Sequence, residues 1–377
     1  MKKSISLLLL LLTLFACSDD KTETDTTGAY LISGKFVTPN GEDAISKAKI
    51  ELFKEGLLLK TQMTNSLGEF SLEELTPGTY DIRLSKGLFS ASRTVTIDDA
   101  NDLLEIILET IAVTDLPNIA VVTGSYDHIE DVLYNIGLVN PETQEPLFDI
   151  IEGQNIFGRS QAEPHKSHGN SLSHMNRTTN SQLQPNVDFD FADLIESPDL
   201  LNSYDIIFLN CGLNESKIEF SNNLTNYVAN GGLLYATDWA FAYLEDITNG
   251  GEDYIDFYQP IHSGTSLSTE AELLNEDLAS WLSLNFEIEL TDNTVTIDEF
   301  LSSWQVVDTY DTETVIPWLY GPVEYNGISE SKYLAYTFLH DEGAVLYSSF
   351  HTENETDEAT SVERLMQYLV FELSAMK

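Results

Sequence analysis

Residues 231–239 read GGLLYATDW, and this stretch decides how the second half of the chain folds. The two glycines are typical of a helix end, because glycine readily adopts the left-handed conformation that terminates many helices. The run Leu233–Thr237 has the length of a strand and lacks polar alternation, which predicts a strand buried on both faces. We therefore expect a helix, then a buried strand, and then a turn that presents Asp238 and Trp239.

The same pattern recurs throughout residues 117–377. Further apolar runs have the composition of buried strands: Ile119–Thr123, Asp205–Leu209 and Ala344–Ser348. Helical spacing follows the first of these runs, over 127–136, and occupies the C-terminus, over 362–373. This alternation predicts an α/β domain of the doubly wound class, whose mainly parallel sheet is covered by helices on both faces.

A polar stretch interrupts this pattern between residues 154 and 187. It is rich in asparagine, serine, glutamine and histidine and poor in apolar residues. Three histidines lie within it: His165, His168 and His174. Their loose spacing offers metal ligands, but a zinc site normally combines tight spacing with a fixed scaffold, so we favour a polar surface insertion.

Residues 29–112 have a different sequence pattern, in which apolar and polar residues alternate with the period of a half-buried strand. Turn signals separate the runs, among them Pro39-Asn40-Gly41 and Pro77-Gly78. We predict a small all-β domain, an antiparallel sandwich, which a short join through Thr114–Pro117 connects to the α/β domain.

The composition limits the partners of the protein. The 377 residues include 62 acidic and 18 basic side chains, which gives a formal net charge of −44. This charge argues against nucleic acid or an anionic membrane face as a partner. Binding of divalent cations remains compatible with it. The simplest explanation is that dispersed surface carboxylates keep the protein soluble. Of the two cysteines, Cys211 follows an apolar run and is expected to be buried.

The N-terminus has the pattern of an export signal over residues 1–16. Lys2 and Lys3 precede an apolar core, Ile5–Phe15, that is too short to span a bilayer. Leu14-Phe15-Ala16-Cys17 resembles the lipobox of bacterial lipoproteins, which implies acyl chains on Cys17 and a polar tether over 17–28. An ordinary cleaved secretory signal is the alternative. The following Ser18-Asp19-Asp20 resembles the surface-export signal of lipoproteins in the Bacteroidetes group, which implies the outer face of the outer membrane; its periplasmic face is the alternative.

Several motifs of the β domain resemble the carboxypeptidase regulatory-like domain. They are Gly34-Lys35-Phe36-Val37 with Asn40-Gly41, Ala48-Lys49-Ile50-Glu51-Leu52, Thr64-Asn65-Ser66-Leu67-Gly68-Glu69-Phe70 and Leu75-Thr76-Pro77-Gly78-Thr79-Tyr80. The resemblance covers 29–112 and implies a transthyretin-like sandwich that acts as a spacer or adhesion module.

The order of the α/β segments resembles the class I glutamine amidotransferase-like fold, a flavodoxin-like arrangement that includes ThuA-like proteins. In that fold a glycine-containing loop, here Asn210-Cys211-Gly212, supplies oxyanion contacts, and a final strand delivers Phe-His-Pro-Glu, here Phe350-His351-Thr352-Glu353. The turn that carries the cysteine nucleophile in the family holds Asp238 instead. A carboxylate does not replace a thiolate in amide hydrolysis, and Cys211 belongs to the oxyanion loop.

Asp238, His351 and Glu353 are expected to converge at the carboxyl edge of the sheet, with His128 and Asp127 bordering them. Such a cluster binds a metal, holds a sugar hydroxyl or acts as an acid/base pair. Structural roles are the alternatives, with Asp238 as a helix cap and His351 bonded to a neighbouring carbonyl. The aromatic residues Trp239, Tyr243, Trp304 and Trp318 either stack on a sugar or pack in the core.

Two functions follow as hypotheses. The first is a surface lipoprotein whose amidotransferase-like domain is non-catalytic and binds a carbohydrate, a polymer fragment or a protein. The second is an extracytoplasmic hydrolase or carbohydrate-modifying enzyme that uses Asp238, His351 and Glu353. Neither requires a cofactor, although a divalent metal is compatible with both.

Overall fold

The computed structural model describes residues 30–98, 104–140, 142–154, 183–286, 288–352 and 360–376. The predicted signal and tether, Cys17, most of the polar insertion with its three histidines, and Glu353 lie outside these residues. Among the described residues, no helix combines the length and the apolar character that crossing a membrane requires.

Seven strands form the N-terminal β-sandwich. They are β1 (Tyr30–Val37), β2 (Lys49–Lys54), β3 (Leu57–Met63), β4 (Glu69–Leu75), β5 (Gly78–Lys86), β6 (Phe89–Ile97) and β7 (Glu105–Ala112). One sheet has the order β4-β1-β7 and the other β3-β2-β5-β6. Alternate side chains such as Ile50, Leu52, Ile82 and Leu84 are fully buried between the sheets, as the period-two pattern predicts.

One strand pair of the sandwich departs from the expected antiparallel arrangement. Strand β7 runs parallel to β1, while all the other pairs within the sandwich are antiparallel. The reason is that the chain changes sheets between β6 and β7 and so reaches β1 through a crossover instead of a hairpin.

The remaining strands belong to the α/β domain. They are β8 (Ile119–Val122), β9 (Asp149–Ile151), β10 (Ile206–Leu209), β11 (Leu233–Thr237), β12 (Thr248–Asn249), β13 (Glu252–Asp253), β14 (Ile255–Phe257), β15 (Leu267–Leu273), β16 (Thr294–Phe300), β17 (Val307–Tyr310), β18 (Val315–Tyr325), β19 (Ile328–His340) and β20 (Gly343–Ser348). Nine of them form one sheet, in the order β16-β15-β18-β19-β20-β11-β10-β8-β9.

The prediction of a mainly parallel sheet is therefore only half correct. Strands β9, β8, β10, β11 and β20 pair in parallel, whereas β20, β19, β18, β15 and β16 pair antiparallel. The antiparallel order of β18, β19 and β20 has a local cause. A two-residue turn at Asn326-Gly327 joins β18 to β19, and another at Asp341-Glu342 joins β19 to β20. A two-residue connection only allows antiparallel neighbours.

Helices cover both faces of this sheet. They are α1 (Ile129–Asn135), α2 (Phe191–Glu196), α3 (Pro198–Leu201), α4 (Ser221–Ala229), α5 (Glu276–Phe286) and α6 (Ser361–Ala375), with 3₁₀ helices at Glu215–Phe220, Asp238–Tyr243 and Thr291–Asn293. Successive residues of β8, such as Ala120 and Val121, pack into two different hydrophobic clusters, one on each face. The expectation of a sheet covered on both faces thus agrees with the structure.

The sandwich packs against helices α5 and α6 of the α/β domain. Trp281 Nε1 donates a hydrogen bond to the carbonyl oxygen of Ala44 at 2.7 Å. Lys86 Nζ lies 2.6 Å from Glu372 Oε1, with the lysine side chain almost fully buried. The join is also held in place, since the backbone N–H groups of Thr114 and Asp115 both donate to the carbonyl of Ser90.

Candidate functional site

The candidate site lies at the carboxyl ends of the parallel strands. The chain leaves β8 towards Asp127, β10 towards Cys211, β11 towards Asp238 and β20 towards His351. Neighbouring parallel strands end at the same edge of a sheet, so the segments that follow them meet. The structure brings together Cys211, Asp238 and His351, three of the residues that the sequence singles out.

Asp238 is at the centre of this group. Its Oδ1 atom accepts a hydrogen bond from the backbone N–H of Gln305 at 2.6 Å, and its Oδ2 atom lies 3.1 Å from His351 Nε2. Its φ of +40° belongs to the left-handed region, in which a non-glycine residue is strained unless its surroundings hold it there. Asp238 is the first residue of the 3₁₀ helix Asp238–Tyr243, whose N-cap position is Thr237, so Asp238 does not have the expected capping role.

Cys211 approaches the same carboxylate from the adjacent loop. Its Sγ atom donates to Asp238 Oδ2 at 3.5 Å, and its backbone N–H donates to Thr237 Oγ1 at 2.8 Å. Burial raises the pKa of the Cys211 thiol well above its usual value, and the negative charge of Asp238 raises it further. The thiol is therefore protonated at neutral pH and is a poor nucleophile.

A second buried carboxylate, that of Asp127, ties the strand ends to one another. Asp127 Oδ1 accepts from the backbone N–H groups of Thr352 at 2.9 Å and of His128 at 3.0 Å. The hydroxyl groups of Thr237 and Thr352 also donate to this carboxylate. Because four donors converge on one side chain, Asp127 fixes the relative positions of β11 and of the segment after β20.

The side chain of His128 belongs to a separate buried cluster. His128 Nδ1 lies 3.4 Å from Glu130 Oε1, and Asn210 Nδ2 donates to Glu130 Oε2 at 2.8 Å. Burial alone lowers the pKa of His128, but the contact with Glu130 and the nearby charges outweigh it, so the pKa lies above its usual value. His128 thus borders the Asp238 group without contributing a side chain to it.

Sequence reasoning missed several residues of the site. Glu130 contacts His128, and the backbone N–H of Gln305 contacts Asp238. Neither Glu130 nor Gln305 lies in a motif that distinguishes it from an ordinary surface residue. A helical wheel of the segment after β8 places Glu130 beside apolar positions. This placement is the sequence signal that could have indicated a buried Glu130. Gly212 has a φ of +80°, and a Cβ atom there would lie 2.8 Å from the ring of Tyr126, so the loop requires glycine.

The described part of the site is closed to solvent. The exposed fraction is 1% for Cys211, 2% for Asp238 and 5% for His351. Of the aromatic residues considered for sugar stacking, Tyr243, Trp304 and Trp318 are buried in the core. In the described residues, this buried carboxylate and imidazole link the segments that follow β11 and β20.

Aromatic side chains border the closed group where it approaches the surface. Trp239 is partly exposed and stacks on the ring of His262, with centroids 4.3 Å apart. The Tyr126 ring meets Trp239 edge to face at 6.2 Å, and Tyr126 is 36% exposed. Ser125 and Gln154 add hydrogen-bonding groups next to Tyr126. We call Tyr126, Trp239 and His262 the aromatic rim.

No protein-family model matches the chain, and no curated protein matches it. Similar solved structures include the 5-hydroxyisourate hydrolase of Klebsiella pneumoniae, with 19% identity over 22% of this chain and 84% of that one, at a TM-score of 0.18. A ThuA-like protein from Parabacteroides merdae has 11% identity over 69% of this chain and 90% of that one, at 0.36. A cytoplasmic protein from Salmonella typhimurium has 12% identity over 78% and 94%, at 0.35. At these identities and TM-scores the similarities are weak.

Proposed function

We propose that this protein is a surface-anchored lipoprotein whose α/β domain binds a carbohydrate and does not hydrolyse amides. The observation that carries the proposal is the residue after β11. At the position where the resembling amidotransferases have their cysteine, the chain has Asp238, a buried carboxylate bonded to the N–H of Gln305 and next to His351. A carboxylate in this setting maintains the architecture and has no access to a scissile bond.

The aromatic rim supports a neutral sugar as the ligand. Aromatic rings combine a large apolar face with polar neighbours, which suits the apolar faces and hydroxyl groups of a sugar ring. Tyr126 is partly exposed, and Ser125 and Gln154, which are hydrogen-bonded to each other, add polar groups beside it. The net charge of −44 disfavours phosphorylated or acidic ligands.

Binding of neutral oligosaccharides to the full chain tests this proposal. We expect saturable stabilisation in a thermal shift assay, because a ligand at about 100 times its Kd stabilises the folded state by about 2.7 kcal/mol. Tyr126→Ala should abolish this effect. Tyr320→Ala is the matched control, because Tyr320 is also 36% exposed but lies on β18. Absence of binding, or equal binding by the Tyr126 variant, would refute the carbohydrate proposal.

Glutamate release from glutamine distinguishes the binding module from an amidotransferase. We expect no release, since a disabled nucleophile typically lowers turnover by about 10⁴-fold or more. Asp238→Cys alone should not restore activity, because the new thiol would be buried in the same way as the Asp238 carboxylate. Turnover by the wild-type chain that His351→Ala abolishes would instead support the alternative, a hydrolase that uses Asp238, His351 and Glu353.

The anchor is tested separately, by mass spectrometry of the mature protein from the native membrane. We expect acylated Cys17 as its first residue, with residues 1–16 removed. Export without acylation would indicate an ordinary secretory signal, and an intact N-terminus would refute the processing of this segment.

A further inference from the structure

We infer that Cys211, Asp238 and His351 form a zinc site. These residues follow three neighbouring strands, β10, β11 and β20, and offer a sulfur, an oxygen and a nitrogen ligand. Their ligand atoms all lie within 4.8 Å of one another. The site would exist whether or not the domain binds a carbohydrate.

The two separations that involve Asp238 match those of tetrahedral zinc, and the third, between Cys211 and His351, is within 4.8 Å. Zinc bonds of about 2.3 Å to sulfur and about 2.0–2.1 Å to nitrogen and oxygen imply sulfur-to-oxygen and nitrogen-to-oxygen edges of about 3.5 and 3.3 Å. The observed separations are 3.5 Å from Cys211 Sγ to Asp238 Oδ2 and 3.1 Å from that oxygen to His351 Nε2. Zinc bound to Asp238 Oδ2 would therefore reach both Cys211 and His351 once their side chains close to tetrahedral separations.

The electrostatic surroundings favour a cation at this place. Asp127 and Asp238 are both almost fully buried; Asp238 lies beside His351, and no lysine or arginine among the described residues forms an ion pair with either carboxylate. Buried carboxylates are costly unless a positive charge offsets them. A divalent cation bound by Asp238 would supply that charge, and the Cys211 thiol would release its proton to solvent as it coordinates the metal.

Outer contacts already hold the ligands in place. Gln305 N–H fixes Asp238 through Oδ1, which leaves Oδ2 directed at Cys211 and His351. The Thr237 hydroxyl accepts from Cys211 N–H and donates to Asp127, so the cysteine loop and the Asp127 carboxylate are linked. Such outer hydrogen bonds orient metal ligands and raise affinity. Three protein ligands leave one coordination position of tetrahedral zinc without a described protein ligand.

Cobalt(II) spectroscopy of the full chain tests the site, with Cys17→Ser introduced so that Cys211 is its only thiol. After treatment with a chelator, one equivalent of cobalt should give intense tetrahedral d–d bands and a thiolate-to-cobalt charge-transfer band, and zinc should displace it. Cys211→Ser should abolish the charge-transfer band, and His351→Ala should weaken zinc binding at least about 10-fold. His340→Ala is the matched control, since His340 is a buried histidine outside the site.

Two results would overturn the inference. One is a folded chain that binds neither zinc nor cobalt. The other is cobalt binding without a thiolate band, which would assign the metal to other residues, such as His165, His168 and His174. If the Cys211 or His351 variant fails to fold, the Cys17→Ser chain still tests the inference. Cys211 is its only thiol, so a thiolate-to-cobalt band from that chain assigns the metal to Cys211.

Discussion

At the scale of single residues, Asp238 combines a strained backbone with a buried hydrogen bond. Asp238→Ala removes the acceptor of Gln305 N–H and leaves a side chain that tolerates a φ of +40° poorly. We expect the free energy of unfolding of the metal-free chain to fall by about 2–4 kcal/mol, measured by urea denaturation. Asparagine keeps the acceptor and adopts positive φ more readily, so Asp238→Asn should cost less than half as much. Equal losses in the two variants would contradict this account.

The candidate site is partly predictable at this scale. Asp238, Cys211 and His351 lie within three residues of the end of an apolar strand, and the placement of strand ends at one edge is a general property of parallel sheets. Gln305 is 67 positions from Asp238 and follows no such strand. Its backbone N–H donates to Asp238 only because the chain returns to the site. No local sequence pattern indicates that return.

At the scale of elements, the N-terminus of α6 carries a capping box. Thr360 Oγ1 accepts from Glu363 N–H at 3.2 Å, and the Glu363 carboxylate accepts from Thr360 N–H at 2.6 Å. Thr360→Ala should therefore cost about 1 kcal/mol in the free energy of unfolding, whereas Thr360→Ser, which retains the acceptor, should cost a few tenths at most. Urea denaturation measures both, and an alanine variant as stable as the serine variant would exclude the cap as a contributor.

The antiparallel half of the large sheet is also an element-scale feature. Asn326 and Gly327 have φ values of +47° and +75°, which suits a tight hairpin between β18 and β19. The Asn-Gly dipeptide is a strong hairpin signal that the interpretation of a mainly parallel sheet overlooked. The signal fixes the direction of β19 relative to β18, but the pairing of β20 with β11 on its other side depends on the whole sheet.

At the scale of the whole molecule, the buried ion pair between Lys86 and Glu372 joins the two domains. Lys86→Met should lower the free energy of unfolding by about 1–3 kcal/mol, because it leaves the Glu372 carboxylate partly buried without its partner. The double variant Lys86→Met/Glu372→Leu should recover much of the loss, since it removes both charges. Lys47→Met is the control, because the Lys47–Asp277 pair is half exposed and worth less than about 1 kcal/mol. A double variant no better than the single one would contradict the proposed cause.

The sequence by itself determined the period-two strands of the β-sandwich, the buried strands β8, β10, β11 and β20, and the strand ends that carry Cys211, Asp238 and His351. These features depend on the periods of strand and helix and on runs of apolar residues, which are local properties of the chain. Only the tertiary structure decided the parallel pairing of β7 with β1, the closure of the site by Gln305 and the joining of the domains through Lys86 and Glu372. Burial and pairing depend on residues far apart in the sequence, which come together only when the sheets assemble.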